Sequence, residues 1–97
     1  MKLMKIDFDP KKHSANLMNP TRRLGFDRAI DFDWATATIV EDERQVYPER
    51  RFVAVGYLDE RLHVLCFTPI AGGIRVISFR KANSREARKH GKSITLN

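Results

Sequence analysis

Three apolar, β-prone runs follow one another in the second half of the chain, with only short turns between them. They occupy residues 51–58, 62–68 and 74–79. Asp59-Glu60-Arg61 separates the first two runs as in a hairpin, and Ala71-Gly72-Gly73 turns the chain into the third. With a further β-branched run at 35–40, the pattern predicts a curved antiparallel sheet of about four strands. Both faces of the last strands are largely apolar, so we expect the sheet to be covered on one side and curled or partnered on the other.

Helix signals precede this β-rich block. Residues 5–8 form a possible short strand, after which Asp9-Pro10 marks the start of a helix. That helix is predicted to run from about Pro10 to Met18, because Asn19-Pro20 stops it. A second short amphipathic helix is predicted from apolar residues at helical spacing, namely Phe26, Ala29, Ile30 and Trp34.

A short basic helix is predicted after the last strand. Asn83 can cap its first turn while Glu86, three residues later, completes a capping box. Gly91 is a natural stop for that helix. The predicted fold class is therefore α+β, with two N-terminal helices packed on the sheet and a short basic C-terminal helix.

The length and composition fit one small globular domain spanning residues 1–97. The chain has 97 residues, of which 42% are hydrophobic. The N-terminal segment meets Asp7 before any apolar core of a signal peptide develops, and no apolar run approaches the ~18–20 residues that cross a bilayer. We therefore expect a cytoplasmic protein that makes no contact with a membrane.

The positive charge is concentrated at one end of the chain. The net charge is +6, yet residues 1–71 contain as many acidic as basic side chains. Residues 72–97 contain a single acid, Glu86, and seven basic side chains: Arg75, Arg80, Lys81, Arg85, Arg88, Lys89 and Lys92. Like charges crowded on a short segment repel one another, and a polyanion relieves that repulsion. Because this segment lacks the apolar face of a membrane-binding helix, nucleic acid is the favoured partner.

Within this segment the spacing of the cations matches phosphate recognition. Arg80 and Lys81 stand where a strand passes into a helix. On that helix, a basic stripe is formed at spacings of three and four residues by Arg85, Arg88 and Lys89. Guanidinium groups bind phosphate oxygens two at a time. The competing interpretation is a solvated helix whose charges only keep the protein soluble.

Few other side chains suggest chemistry. Arg75 lies within an apolar run and must reach a sheet edge, a cleft or an acid, since a buried unpaired charge is costly. His90 is a candidate general acid or base, with a helix-end histidine as the plainer alternative. Lys12 shares a helix face with Asn16, and a capped, solvated helix explains that face equally well. Cys66 is expected to be a buried small hydrophobe. The histidines and Cys66 have no ligand spacing, so no metal site and no cofactor are expected.

Taken together, these residues resemble the BrnT family of ribonuclease toxins from type II toxin–antitoxin systems. The resemblance covers roughly residues 8–90 and is strongest over 61–69 and 73–86. Its shorter elements are Asp9-Pro10-Lys11-Lys12 with Asn16, then 26–29, 31–34, Glu41-Asp42, Glu49-Arg50-Arg51 and Gly56.

The resemblance implies a RelE-like fold and a function. That function is metal-independent endoribonuclease activity that arrests translation, neutralised by a BrnA-type antitoxin. Toxin and antitoxin of such families often form a heterotetramer that binds operator DNA. On this interpretation Arg75 and Arg80 stabilise charge in the transition state, and the RNA-binding residues that hold flanking phosphates are Lys81, Arg85, Arg88 and Lys89. His90 or Glu86 is the expected proton carrier, and Lys12 is a weaker candidate.

One segment departs from the family pattern. Many members have Lys-His-Gly after the first helix, whereas this chain has Arg23-Leu24-Gly25 at the end of a longer segment. The family's tyrosine near the end of the last helix is replaced by His90. Two alternatives therefore stay open: a non-catalytic module that binds nucleic acid or a protein, and a degenerate toxin that binds its antitoxin without cutting RNA.

Overall fold

The computed structural model describes residues 4–96, which form an α+β fold and confirm the predicted class. The single-domain prediction extends to residues 1–3 and 97, which lie outside the described residues. The elements in chain order are β1 (Lys5–Phe8), α1 (Pro10–Met18), a 3₁₀ helix (Phe26–Asp31), β2 (Thr38–Glu41), β3 (Phe52–Leu58), β4 (Arg61–Ile70), β5 (Gly73–Lys81) and α2 (Ser84–Lys89). No helix among the described residues is long and apolar enough to cross a bilayer.

The sheet has five strands in the order β1-β5-β4-β3-β2, so the prediction of a four-stranded antiparallel sheet was wrong. The meander from β2 to β5 is antiparallel as predicted, but β1 adds to the edge of β5 in parallel. Gly73 allows this approach, because a Cβ there would collide with the backbone of Lys5. Which edge a short strand joins depends on such tertiary contacts, and the pattern of residues 5–8 does not encode it.

The second N-terminal helix is also corrected. It is a six-residue 3₁₀ helix, Phe26–Asp31, instead of an amphipathic α-helix. Phe26 and Ala29 are the buried residues of this helix, and Phe32, which is also buried, follows it directly. The three positions recur every third residue, which is the period of a 3₁₀ turn. Ile30 is 45% exposed, and Trp34 lies beyond the helix with its ring edge against Phe32 and Phe67.

The caps of both α-helices form as predicted. Asp9 accepts a hydrogen bond from the backbone N–H of Lys11 at the start of α1. At the start of α2 the capping box of Asn83 and Glu86 is complete, and Gly91 follows with a positive φ of 61°.

The two faces of the sheet are covered unequally. One face packs under α1 and the 3₁₀ helix, where Leu65 and Phe79 are fully buried. We call the other side the open face; it includes Val53, Val55, Val64, Cys66, Ser78 and Arg80. α2 covers only one end of it, through Ala82 and Ala87. Cys66 is therefore half-buried instead of buried, and desolvation raises the pKa of its thiol.

Candidate functional site

A cleft of about 370 Å³ lies on the open face. We call it the open-face cleft. Its floor is formed by the small apolar and polar side chains of β3, β4 and β5, namely Val53, Val55, Val64, Cys66 and Ser78. One rim comes from the end of β5 and from α2, and contains Arg80, Glu86, Lys89 and His90. The opposite rim comes from residues 40–44, at the end of β2 and just beyond it. Four of the predicted site residues are thus brought together.

Arg80 is oriented by Glu86. Its Nη1 and Nη2 donate to the two carboxylate oxygens at 2.9 and 2.7 Å, and Nη1 also donates to the carbonyl of Lys81 at 3.2 Å. A guanidinium has five N–H donors. Its Nε–H and the second Nη2–H donate to no described residue. These two groups form one edge of the guanidinium, the same edge with which Arg44 and Arg50 each hold a carboxylate.

Glu86 is held in its charged form. The hydrogen bonds from Arg80 are the largest cause, and the backbone N–H of Asn83 adds to them, so the pKa of Glu86 falls to about 2 in spite of some desolvation. A carboxylate with so low a pKa is a poor proton acceptor near neutral pH. This speaks against Glu86 as the proton carrier and favours a positioning role toward Arg80.

The variant Glu86→Gln separates two roles of Glu86, which caps the start of α2 and is also the charged partner of Arg80. Glutamine still accepts from the Asn83 N–H, but loses the ion pair with Arg80. The pair is only partly buried, so we expect the free energy of unfolding to fall by about 0.5–1 kcal/mol at pH 7. The pKa of Glu86 is lower in the folded protein than its value of 4.5 in the unfolded chain, so its charge stabilises the fold at pH values above 4.5. This contribution disappears as the pH falls toward about 2.

Urea unfolding of both proteins between pH 7 and pH 3 measures this difference. The gap between wild type and Glu86→Gln should narrow below about pH 4.5. Glu49→Gln, which removes an exposed carboxylate from the loop after β2, serves as the control. Its free energy of unfolding should differ from that of wild type by a small amount that does not change with pH. A gap for Glu86→Gln that stays constant across the range would contradict the ion-pair explanation.

His90 ends α2 and faces the open-face cleft. It is the C-cap residue, its backbone N–H donates to the carbonyl of Glu86 at 3.2 Å, and its side chain is half-buried at the rim. Within residues 4–96 its imidazole makes no hydrogen bond or ion pair. An imidazole nitrogen can accept a hydrogen bond, so this ring is available to contact a molecule bound in the cleft.

The rim opposite α2 was not predicted from the sequence. Asp42 is buried there, and hydrogen bonds from Arg44 and then from Tyr47 hold the pKa of its carboxyl far below the usual range. Glu41 is paired with Arg50 at 2.8 Å, which also lowers its pKa. Two of the three acids at this rim are therefore neutralised locally. In the sequence, residues 41–51 mix acidic and basic side chains and look like a solvated loop. Their ion pairs form only when the loop folds, so no pattern along the chain predicts them.

Arg75 and Lys12 lie apart from the open-face cleft. Arg75 is on the open face but beside β1, where its Nη1 is 3.5 Å from a carboxylate oxygen of Asp7 and both side chains are partly exposed. Lys12 lines a separate depression beside α1. Lys81, at the end of β5, and Arg85 and Arg88, on α2, are exposed and do not line the cleft. Among residues 4–96 none of these three forms an ion pair, and neither does Lys89 at the rim. No group of three or more potential metal ligands occurs within the same residues.

The fold and the cleft define a small basic α+β domain with cations at a strand-to-helix corner. Comparison with known families then assigns the chain: residues 8–86 match the model for the ribonuclease toxin BrnT of type II toxin–antitoxin systems. The chain belongs to this family, which confirms the resemblance drawn from its motifs. No curated protein and no solved structure gives a significant match. The family implies ribonuclease activity, an RNA target and an antitoxin partner. The matched segment includes Arg80 and Glu86 and ends before His90, so the family match itself gives no support to His90.

Proposed function

We propose that this protein is an endoribonuclease toxin that cleaves RNA in the open-face cleft, with Arg80 binding the scissile phosphate. The observation that carries the proposal is a guanidinium that Glu86 already holds in place and whose Nε/Nη2 edge donates to no residue of the described part of the chain. An arginine oriented before the substrate arrives loses little freedom on binding. Its free edge matches two phosphate oxygens.

The proposed reaction uses the RNA's own 2′-OH as nucleophile. Its oxygen forms a bond to the adjacent phosphorus while the bond from phosphorus to the 5′ oxygen breaks, leaving a 2′,3′-cyclic phosphate and a 5′-OH end. His90 accepts the proton of the 2′-OH, water in the open cleft protonates the leaving oxygen, and the hydroxide that remains takes the proton from His90. Arg80 donates two hydrogen bonds to the phosphoryl oxygens, where negative charge grows in the transition state. This route requires no metal ion.

The flanking phosphates are assigned to the basic residues around the cleft. Lys89 lies on its rim. Lys81, at the end of β5, and Arg85 and Arg88, on α2, are exposed and have no carboxylate partner among the described residues. Arg75 lies farther along the same face. Its ion pair with Asp7 is long and exposed, so a phosphate can replace the carboxylate at small cost.

The antitoxin is proposed to be of the BrnA type and to bind over α2 and the cleft. The exposed cations there, with the apolar floor beneath them, suit a segment that carries acidic and apolar side chains. Blocking Arg80 in this way would neutralise the toxin. A heterotetramer that binds operator DNA is part of the same proposal, and its only support is the resemblance to the family.

A cleavage assay in the presence of EDTA tests the proposed activity. The purified protein is incubated with a 5′-labelled single-stranded RNA, and the ends of the products are identified by their sensitivity to phosphatase and to acid. We expect 2′,3′-cyclic phosphate ends, and no cleavage of the same RNA with 2′-O-methyl groups. RNA that is bound but left intact would support the non-catalytic alternative, and loss of cleavage with EDTA would overturn the metal-free mechanism.

A further inference from the structure

A second depression, of about 250 Å³, lies beside the open-face cleft at the edge of β5. We call it the α1 depression. One helical face of α1 and the segment after it contribute Lys12, Ala15, Asn16, Asn19 and Arg22, and β5 contributes Ile77 and Ser78. β1 pairs with β5 only from Gly73 to Val76, so this part of the edge is left without a neighbouring strand. Ser78 lines both cavities, so the α1 depression and the open-face cleft meet at the edge of β5.

A buried asparagine holds one cation at this depression. Asn16 is 5% exposed, and its Nδ2 donates to the carbonyls of Leu24 and Phe79 at 2.7 and 2.8 Å. Those two bonds fix the direction of its Oδ1, which accepts from Nη1 of Arg22 at 2.9 Å. The segment that carries Arg22 is itself ordered, because Asn19 accepts from the backbone N–H of Thr21 at 2.9 Å.

The residues lining the depression have positive charge and no acid. Lys12 and Arg22 are both exposed at its edge, and no aspartate or glutamate lines it. Neither cation forms an ion pair within the described part of the chain. Five other arginines, Arg28, Arg44, Arg50, Arg75 and Arg80, are instead paired with carboxylates. Arg22 is instead oriented by a neutral amide, which leaves its full charge available to an anion.

We propose that Lys12 and Arg22 form a phosphate subsite that binds the RNA strand outside the scissile bond. A strand in the open-face cleft can continue past Ser78 into the α1 depression, where the guanidinium and the ammonium contact one phosphate. Lys12 is then a binding residue and takes no part in proton transfer. This inference rests on the proposed function for its substrate class, but it assigns a separate site with its own residues.

The test is the binding of 2′-O-methyl RNA, which cannot be cleaved by 2′-OH attack. Dissociation constants are measured for a trinucleotide and a dodecamer, with wild type and with Arg22→Gln, Lys12→Gln, Arg23→Gln and Lys11→Gln. The last two variants remove a charge from the adjacent position, outside the lining of the α1 depression. Arg22→Gln and Lys12→Gln should each weaken dodecamer binding about five- to tenfold. The other two should change it less than about twofold, and the trinucleotide should bind all five proteins alike.

The salt dependence provides a second measurement. Loss of one phosphate contact should lower the slope of log affinity against log salt by about 0.7 for a single strand, in Arg22→Gln but not in Arg23→Gln. Lys12→Gln removes no described hydrogen bond, so misfolding cannot explain its effect. Equal losses for Arg22→Gln and Arg23→Gln, or equal losses for short and long RNA, would overturn the subsite. If Arg80→Ala leaves cleavage intact while the Arg22 result holds, the proposed active site fails and the subsite stands.

Discussion

Arg80→Ala should lower kcat for RNA cleavage about 10²–10³-fold, the effect of removing one preorganised donor from a charged transition state. The variant should still fold, because β5 is anchored by the fully buried Phe79 and the lost ion pair is only partly buried. Single-turnover cleavage of a short labelled RNA measures the effect, and thermal unfolding verifies the fold.

Two further variants show whether cleavage requires the paired N–H groups of the Arg80 guanidinium or only a positive charge. Arg80→Lys keeps the charge but loses the paired N–H edge, so we expect it to recover only a small part of the activity. Arg88→Ala removes an exposed cation of α2 that does not line the cleft, and should reduce cleavage by less than about fivefold. Full activity in Arg80→Ala would refute the active site proposed here.

His90→Ala should lower kcat about 10²-fold or more through loss of the proton acceptor. Single-turnover cleavage of the same labelled RNA measures the effect, and thermal unfolding verifies the fold of the variant.

Chemical rescue distinguishes a proton carrier from a helix cap. Added imidazole should restore part of the activity of His90→Ala, because the open cleft admits a small base, and should leave Arg80→Ala unchanged. A histidine that only ends α2 would show a loss of stability and no rescue. An unchanged kcat in His90→Ala would remove His90 from the mechanism.

The structure places Arg75 and Arg80 in different surroundings, although the sequence treats them alike. Both lie on β5 and both are ion-paired, yet only Arg80 lines the open-face cleft. The β-bulge opposite Cys66 and Phe67 brings both arginines to the open face, but Arg75 lies beside Asp7 of β1, away from the cleft. We therefore expect Arg75→Ala to affect RNA binding more than the rate of cleavage.

Local signals predicted both α-helices and most of the strands. The Asp9-Pro10 start, the Asn83 capping box and the Gly91 stop each act within one helical turn, so they are readable without the rest of the fold. The strands Phe52–Leu58, Arg61–Ile70 and Gly73–Lys81 lie within two residues of their predicted limits, because hairpin turns and apolar runs are also local.

The candidate site was predicted in part. The accumulation of positive charge near the carboxyl end and the strand-to-helix corner are both visible in the sequence. Three features are not: the ion pair that leaves one edge of Arg80 free, the acidic rim of residues 41–43, and the hydrogen bond from Arg22 to Asn16. Each of these joins side chains whose meeting depends on how the loops pack.

The sequence alone determined the α+β class, the helix ends, the antiparallel meander and the basic character of the last 26 residues, because all of these follow from neighbours along the chain. Only the tertiary structure decided that β1 pairs with β5 in parallel, that residues 26–31 form a 3₁₀ helix, and that Lys12 and Arg80 line different cavities. Those outcomes depend on contacts between segments that are distant in the sequence. The free energy of the whole fold determines these contacts, and no local sequence pattern specifies them.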